Sequence, residues 1–236
     1  MYHRRDPAKA GERADFVVHL LEMPPGLLID VVVPARDHAA SLAPLLRDLP
    51  HRSIRSVVVV DRASTDRTAE VARDAGALVL REPTGGYGAA CLRAKAHFTA
   101  LPRVPDILVF IPGDRPAAAM ALLSLVEPIA VRGVELVVGA ESSGRRRVGE
   151  KLVTAVIETV YRHRWSGVGP VRALKFPALI ALGMRDRGDG WDVEMLVRAV
   201  KLGLTCDEVA LPADAHRDAK VGSRALLHIL RHATMR

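Results

Sequence analysis

The most restrictive feature of this sequence is an alternation of short apolar runs with helical stripes between residues 28 and 140. The runs are rich in β-branched residues and end at turn residues, which is typical of strands buried inside a sheet. Strands that alternate with helices at this spacing predict an α/β fold with a mostly parallel central sheet flanked by helices. The predicted strands are Leu28 to Val33, Ser56 to Val60, Ala77 to Leu80, Ile107 to Ile111 and Val134 to Gly139.

Apolar residues three and four positions apart predict the helices between these strands. In the first helix Leu42, Leu45, Leu46 and Leu49 form one stripe, and Ser41 is the expected N-cap. The other predicted helices run from Asp66 to Ala75, from about Gly88 to Thr99 and from Ala117 to Ala130.

The pattern changes after Ala140, where a basic cluster at Arg145 to Arg147 begins a less regular second half. We find no linker or internal repeat. We therefore expect an N-terminal extension at 1–27, one domain at 28–223 and a C-terminal amphipathic helix at 224–236. The elements predicted in the second half are helices from Gly149 to Arg164 and from Trp191 to Lys201, and strands near Val171 to Leu174 and Thr205 to Leu211.

Composition excludes several classes of protein. The formal net charge of +7 is compatible with nucleic acid, an anionic membrane or phosphate-bearing small molecules as partners. An aromatic content of 4% and the lack of a recognisable motif argue against nucleic acid. Two cysteines, Cys91 and Cys206, are too few for a disulfide framework, and we expect both as buried free thiols.

The sequence also predicts where the protein works. No apolar run reaches the ~18–20 residues of a membrane span, and Met1 to Arg13 lacks the apolar centre of a secretory signal. We therefore expect a cytoplasmic protein. The C-terminal helix either packs on its own domain or rests on the inner face of a membrane, and the sequence leaves both open.

Polar or glycine-rich turns follow several predicted strands. They are Pro34 to Asp37, Asp61, Gly85 to Gly88 and Asp114. Ligands of open α/β sheets bind at the carboxyl ends of the strands. We therefore predict a binding site at this edge of the sheet.

Five segments also resemble a known family. They occur in the order found in family 2 glycosyltransferases with the GT-A fold, and the likeness is greatest to the dolichol-phosphate-mannose-synthase-like branch. The resemblance covers residues 28 to 223 and implies transfer of a sugar from a nucleotide diphosphate sugar to an acceptor, which in that branch is a polyprenyl phosphate. The segments are VVVPARDHAASL, VVVVDRASTDRTAEVARDAGA, GGYGAACLRA, GPVRALKFPALIALGMRDRGDGWDVEMLVRAVKLGLTCDEVAL and AKVGS.

The resemblance implies a set of donor-binding residues. The turn after the first strand would hold the nucleoside, Asp61 would accept hydrogen bonds from the base, and the glycines before a helix N-terminus would favour an anion through exposed N–H groups. The chain has His38 where the family usually has Glu, and Arg62 where a second Asp is common. The implied nucleotide-sugar-binding residues are Pro34, Ala35, Arg36, Asp37, Asp61, Arg62, Gly86, Gly88 and Asp114.

The metal-binding motif departs from the family. Asp114 matches the second carboxylate of the family's Asp-x-Asp, which holds Mg²⁺ or Mn²⁺, whereas Pro112 replaces the first. Three interpretations stay open: Asp114 binds the metal with diphosphate oxygens and waters, Arg115 or Arg62 supplies the positive charge, or donor chemistry has been lost.

The resemblance places the acceptor side in the second half of the chain. Asp192 would be a general base for a hydroxyl acceptor or an orienting group for a phosphate, and its alternative role is to complement a helix dipole. Glu194 is expected to pair with Arg198 at the surface. The implied phosphate- or acceptor-binding residues are Arg172, His216, Arg217, Lys220 and Ser223.

The expected function is therefore a glycosyltransferase with Asp192 and Asp114 as its catalytic residues. The alternative is a non-catalytic relative that binds a nucleotide or a partner, motivated by Pro112, Arg62 and His38. A nucleotidyltransferase is disfavoured, because no glycine-rich loop bearing Arg and Lys follows the first strand.

Overall fold

The computed structural model describes residues 24–141, 154–155, 158–159 and 165–212. The predicted basic cluster, almost all of the helix from Gly149 to Arg164 and the C-terminal amphipathic helix lie outside these residues. So do four implied acceptor residues, His216, Arg217, Lys220 and Ser223.

The described chain is organised around one sheet of seven strands in the order β3-β2-β1-β4-β6-β5-β7. All neighbouring pairs are parallel except those of β6, which is antiparallel to both β4 and β5. The predicted α/β class and mostly parallel sheet are thereby confirmed. The strands are β1 (Ile29–Ala35), β2 (Ser56–Asp61), β3 (Leu78–Arg81), β4 (Ile107–Phe110), β5 (Leu136–Glu141), β6 (Arg172–Lys175) and β7 (Cys206–Leu211).

Helices connect these strands. Each helix predicted within the described residues is present, but the first part of the one predicted from Ala117 is a 3₁₀ helix, and the helix that follows β6 was not predicted. The α-helices are α1 (Ala39–Asp48), α2 (Thr68–Asp74), α3 (Tyr87–Thr99), α4 (Leu122–Arg132), α5 (Phe176–Ala181) and α6 (Trp191–Leu202), with 3₁₀ helices at His51–Ser53 and Pro116–Ala121.

Apolar side chains cover both faces of the sheet, which explains why the strands are continuous apolar runs. In β1, Val32 faces the core formed with α3 and α6, whereas Val31 and Val33 face the core formed with α1 and α4. All seven residues of β1 are buried. No helix of the described residues is long and apolar enough to cross a membrane.

The direction of β6 positions the site. The carboxyl edge is the edge where β1, β2, β3 and β4 end, and the amino edge is the one where they begin. Because β6 is antiparallel, its first residue, Arg172, pairs with Phe110 at the end of β4. The carboxyl edge therefore receives polar residues from both halves of the chain.

Polar side chains at the amino edge are closely paired. Asp30 is fully buried and accepts hydrogen bonds from both Nε (3.1 Å) and Nη2 of Arg55 and from Ser56 Oγ (2.7 Å). Arg55 also donates from Nη1 to the carbonyl of Arg103 at 2.7 Å. Asp106 accepts the N–H of Leu28 at 2.8 Å.

Candidate active site

The turns after β1 and β2 are joined to each other. Asp37 has a left-handed backbone (φ 54°), and its carboxylate accepts the N–H (2.7 Å) and the hydroxyl (3.1 Å) of Thr65. Its own N–H donates to Ser64 Oγ at 3.0 Å. The hydrogen bonds from Thr65 lower the pKa of Asp37. The Asp37 carboxylate therefore fixes the turn, a role that the sequence had not indicated.

The start of α1 is capped by the same neighbouring turn. Asp66 accepts the N–H groups of Ala39 (3.0 Å) and Thr68 (2.9 Å), so one carboxylate serves the first turns of α1 and α2. The prediction of Ser41 as the N-cap of α1 is wrong: the hydroxyl of Ser41 donates instead to the carbonyl of Gly113 at 2.8 Å. This bond ties α1 to the loop after β4.

Asp61 lies at the end of β2, in register with Ala35 of β1. It is only 6% exposed, and its Oδ1 accepts the N–H of Ser64 at 3.1 Å. The carboxylate therefore caps the next turn, and it lies at the carboxyl edge where the sequence predicted it.

Two basic residues beside Asp61 each contain a buried nitrogen without a hydrogen bond among the described residues: His38 Nδ1 and Arg62 Nε. Burial lowers the pKa of His38, and the positive charge of Arg62 lowers it further. Burial raises the pKa of the Cys91 thiol, and the charge of Arg62 opposes that rise. Arg62 Nε is thus buried beside the carboxyl edge, and the charge of Arg62 acts on both His38 and Cys91.

The loop after β4 carries Asp114 beside His38. A Cβ on Gly113 would lie 3.0 Å from His38 Nδ1, so the absence of a side chain at Gly113 leaves room for the imidazole. The charge of Asp114 raises the pKa of His38 and opposes the effect of burial. Arg115 is 4% exposed, with its Nε 3.5 Å from Asp114 Oδ1.

Asp114 supplies a limited donor set for a metal ion. No group of three or more His, Cys, Asp or Glu side chains within the described ranges is arranged to hold a metal. Mg²⁺ in phosphate-binding sites is commonly held by one or two carboxylates together with substrate phosphates and waters. Asp114, whose side chain is 29% exposed, fits that arrangement as a single protein ligand.

Arg172 and Asp192 form a buried ion pair at the same edge. Arg172 is fully buried, and its Nη2 lies 3.2 Å from Asp192 Oδ1 without the alignment of a hydrogen bond. Its Nη1 donates to the Asp192 carbonyl at 3.2 Å, and its Nη2 donates to the Gly169 carbonyl. Burial raises the pKa of Asp192, and the charge of Arg172 opposes that rise. Arg172 therefore holds Asp192 at the start of α6.

The glycines before α3 pack against another loop. A Cβ on Gly86 would lie 2.7 Å from the Arg187 carbonyl oxygen, and one on Gly88 would lie 2.2 Å from that of Asp186. The N–H groups of Gly88 and Ala89 donate to the carbonyls of Gly188 and Arg187 at 2.9 and 3.0 Å. These two N–H groups are thus occupied, which corrects the expectation that they are exposed for an anion.

Glu194 is not a surface residue, because its side chain is fully buried. It does pair with Arg198, at 2.8 Å, but it also accepts the N–H groups of Arg185 and Asp186. Sequence reasoning missed this second role, and it also missed Tyr87, whose hydroxyl lies 3.5 Å from the Pro170 carbonyl. The sequence carried no local signal for the burial of Glu194, because its two N–H partners belong to a loop outside α6.

Both cysteines are free thiols, as the sequence predicted. Cys91 is buried and Cys206 is partly buried.

Comparisons with known proteins identify the class of protein. The profile described as "Glycosyl transferase family 2" matches residues 30–150. An uncharacterized glycosyltransferase of Mycobacterium tuberculosis (strain ATCC 25618 / H37Rv) is 33% identical over 187 residues, covering 75% of this chain and 81% of the relative. The chain therefore belongs to glycosyltransferase family 2 and is a glycosyltransferase. A second relative, glycosyltransferase AglJ of Haloferax volcanii, is 24% identical over 191 residues, covering 77% of this chain and 61% of AglJ.

Solved structures confirm the GT-A fold. Glucosyl-3-phosphoglycerate synthase of Mycobacterium tuberculosis in complex with phosphoglyceric acid superposes with a TM-score of 0.75 at 21% identity, covering 93% of this chain and 83% of that one. The same enzyme in complex with Mn²⁺, uridine diphosphate and phosphoglyceric acid gives a TM-score of 0.73 at 19% identity, covering 94% and 83%. The family and fold implied by the sequence resemblance are thus confirmed.

Proposed function

We propose that the chain binds a nucleotide diphosphate sugar at the carboxyl edge and transfers the sugar to a phosphate-bearing acceptor, with polyprenyl phosphate as the first candidate. The observation that carries the proposal is the convergence of Asp61, Arg62, His38 and Asp114 at the ends of three adjacent strands. Neighbouring strands are about 4.8 Å apart. The ends of β2 and β4 are therefore separated by roughly 10 Å, a span that suits a nucleoside joined to a diphosphate.

In this proposal the nucleoside lies against Pro34, Ala35, Arg36 and Asp37 and against Asp61. Asp61 accepts a hydrogen bond from the base, because a buried carboxylate is an acceptor only. The diphosphate lies toward Asp114 and Arg62. A guanidinium with a buried unbonded Nε among the described residues is suited to a phosphate oxygen.

A divalent metal belongs to the same proposal. Asp114 would hold Mg²⁺ or Mn²⁺ together with diphosphate oxygens. When bound, the ion supplies positive charge against the leaving diphosphate. The proposal is supported by the solved glucosyl-3-phosphoglycerate synthase structures, which contain Mn²⁺ or Mg²⁺ with uridine diphosphate.

The reaction exchanges one bond to the sugar for another. The bond between the anomeric carbon and the diphosphate oxygen breaks, the diphosphate departs with the electron pair, and an acceptor oxygen bonds to the anomeric carbon. Arg62 would stabilise the charge that develops on the leaving group. A phosphate acceptor is already ionised and needs no general base. Asp192, held by Arg172, then orients the acceptor side rather than removing a proton.

The acceptor proposal includes residues outside the described ranges. Arg172 would act through its charge from the buried pair with Asp192. His216, Arg217, Lys220 and Ser223 would supply the contacts to the acceptor phosphate. The phosphoglyceric acid bound to glucosyl-3-phosphoglycerate synthase is also a phosphate-bearing compound. The C-terminal amphipathic helix would bring a polyprenyl acceptor to the site from a membrane surface.

Titration calorimetry of the purified chain with UDP-glucose and with GDP-mannose, each with and without Mn²⁺, tests the donor proposal. We expect one of the two to bind, tighter with Mn²⁺, and to release its nucleotide diphosphate when polyprenyl phosphate in detergent is added. Turnover with phosphoglyceric acid alone would identify a different acceptor. Binding without turnover would favour the non-catalytic alternative, and binding of neither sugar nucleotide would overturn the donor proposal.

A further inference from the structure

Glu194 is buried one helical turn inside α6, yet its carboxylate bonds to a loop rather than only to its own helix. Among the described residues it accepts three donors: the N–H of Arg185 (3.0 Å), the N–H of Asp186 (2.7 Å) and Nε of Arg198 (2.8 Å). Arg198 also donates from Nη1 to the carbonyl of Leu182 at 3.1 Å. The pair therefore fixes both the start and the middle of the 182–188 loop.

The same loop holds the first turn of α3. Its carbonyls at Arg187 and Gly188 accept the N–H groups of Ala89 and Gly88. The close approach depends on glycine, because a Cβ at Gly86 or Gly88 would collide with the backbone of this loop. The carboxylate of Asp186 stabilises the conformation of the loop by accepting the N–H of Gly188 at 2.7 Å.

This first turn of α3 also contacts the segment just before Arg172. Tyr87 directs its hydroxyl to the Pro170 carbonyl, two residues before Arg172. The charges of Asp186 and Asp189, which lie in and just after the loop, both act on Asp192. The position of the loop therefore sets the position of Tyr87 and the charges around the Arg172–Asp192 pair.

We infer that Glu194 is a positioning residue for the sugar nucleotide: it fixes the 182–188 loop, and the loop fixes the first turn of α3, which would form one wall of the donor site. Glu194 itself touches neither substrate nor reacting atoms. The part of the inference that concerns binding rests on the proposed function, whereas the part that concerns the loop stands on the hydrogen bonds alone.

Three variants separate positioning from stability. E194Q preserves the side-chain size but replaces one acceptor oxygen with an NH₂ group, which opposes a loop N–H. The double variant E194L/R198M removes both charges together, so that neither is left unpaired in the interior, and it still lacks the loop acceptor. E70Q is the matched control, because Glu70 also forms a two-point pair with an arginine beside its own helix, Arg67, at the exposed surface.

The first measurement is hydrogen–deuterium exchange of the full chain, followed in peptides that contain Gly88 and Ala89. We expect exchange there to become about tenfold faster in E194Q and in E194L/R198M, with exchange in β1 and β4 unchanged. E70Q should match the wild type. Unchanged exchange at Gly88 and Ala89 in the two Glu194 variants would overturn the inference.

The second measurement is the affinity for UDP-glucose and GDP-mannose with Mn²⁺, together with the thermal midpoint. We expect an affinity about tenfold weaker in E194Q and in E194L/R198M, even where the double variant melts at the wild-type temperature, and a larger effect on KM than on kcat when turnover is measured. Faster exchange with undiminished affinity would refute the claim that the 182–188 loop positions the binding site for the sugar nucleotide. If the wild type binds neither probe, the proposed function fails, and the exchange result alone decides the role of Glu194 in the loop.

Discussion

The two edges of the sheet differ in how far their buried polar atoms are hydrogen-bonded. At the amino edge Asp30 receives three hydrogen bonds from Arg55 and Ser56. At the carboxyl edge, by contrast, one atom in each of His38, Arg62, Arg172 and Asp192 is buried without a hydrogen bond among the described residues. Such atoms reduce stability unless another group satisfies them. The amino edge is thus satisfied by its own side chains, whereas the atoms at the carboxyl edge match what the proposed ligand site requires.

The largest expected effect is at the amino edge. Asp30→Ala leaves the guanidinium of Arg55 without its buried partner, so we expect the free energy of unfolding to fall by about 3 kcal/mol, measured by urea denaturation. The control is Asp48→Ala, which breaks the exposed Arg47–Asp48 pair and should leave the midpoint unchanged. Equal losses in the two variants would contradict the description of the amino edge as a buried structural pair.

Asp61→Asn should affect binding more than folding. The amide keeps an acceptor for the Ser64 N–H but removes the charge and presents an NH₂ group toward the base. We expect the affinity for the preferred sugar nucleotide to fall about tenfold, or ~1.4 kcal/mol, by calorimetry. A variant that binds as well as the wild type would remove Asp61 from the donor site.

Arg62→Met tests the role of the arginine whose buried Nε has no hydrogen bond among the described residues. Removing a buried group without a hydrogen-bond partner at Nε should leave the free energy of unfolding unchanged or raise it by up to about 1 kcal/mol. The affinity for the sugar nucleotide should fall about fivefold. Loss of stability without loss of affinity would show that Arg62 is structural and that the contrast between the edges does not extend to it.

The smallest expected effect is a pH dependence from His38. Burial lowers its pKa below the ordinary value of 6.5, so the unfolded chain takes up this proton at a higher pH than the native one. Stability should therefore decrease as the pH falls from about 6.5 to the native pKa and stay constant below it. In His38→Gln this decrease in the free energy of unfolding with falling pH should disappear. Urea denaturation at a series of pH values between about 7.5 and 5 measures it. An identical slope in the variant would show that His38 is not responsible.

The pattern of apolar residues within short segments was sufficient to predict much of the fold. β1 and β2 were predicted because their apolar runs are buried on both faces, and the position of Asp61 at the carboxyl edge followed from the end of β2. The antiparallel direction of β6 was not predicted, because a four-residue strand carries no signal of direction.

The site was only partly predictable for a similar reason. The roles assigned to Asp61, Arg62 and Asp114 in donor binding remain predictions. The burial of Glu194 depends on a loop nine residues earlier in the chain and on its contacts with α3, which the spacing to Arg198 cannot reveal. The occupied N–H groups of Gly88 and Ala89 depend on the same distant contact.

The reversal of β6 has a consequence for how such a chain can diversify. The ends of β1, β2 and β4 bring the residues proposed to bind the nucleotide, whereas the beginning of β6 and the start of α6 bring Arg172 and Asp192 from a later stretch of the chain. If the proposed function holds, substitutions beside Arg172 and Asp192 would alter the acceptor side, whereas substitutions in the 182–188 loop would also reach the donor side through α3. One backward strand thus places residues from the second half of the chain directly beside those from the first half within a single sheet.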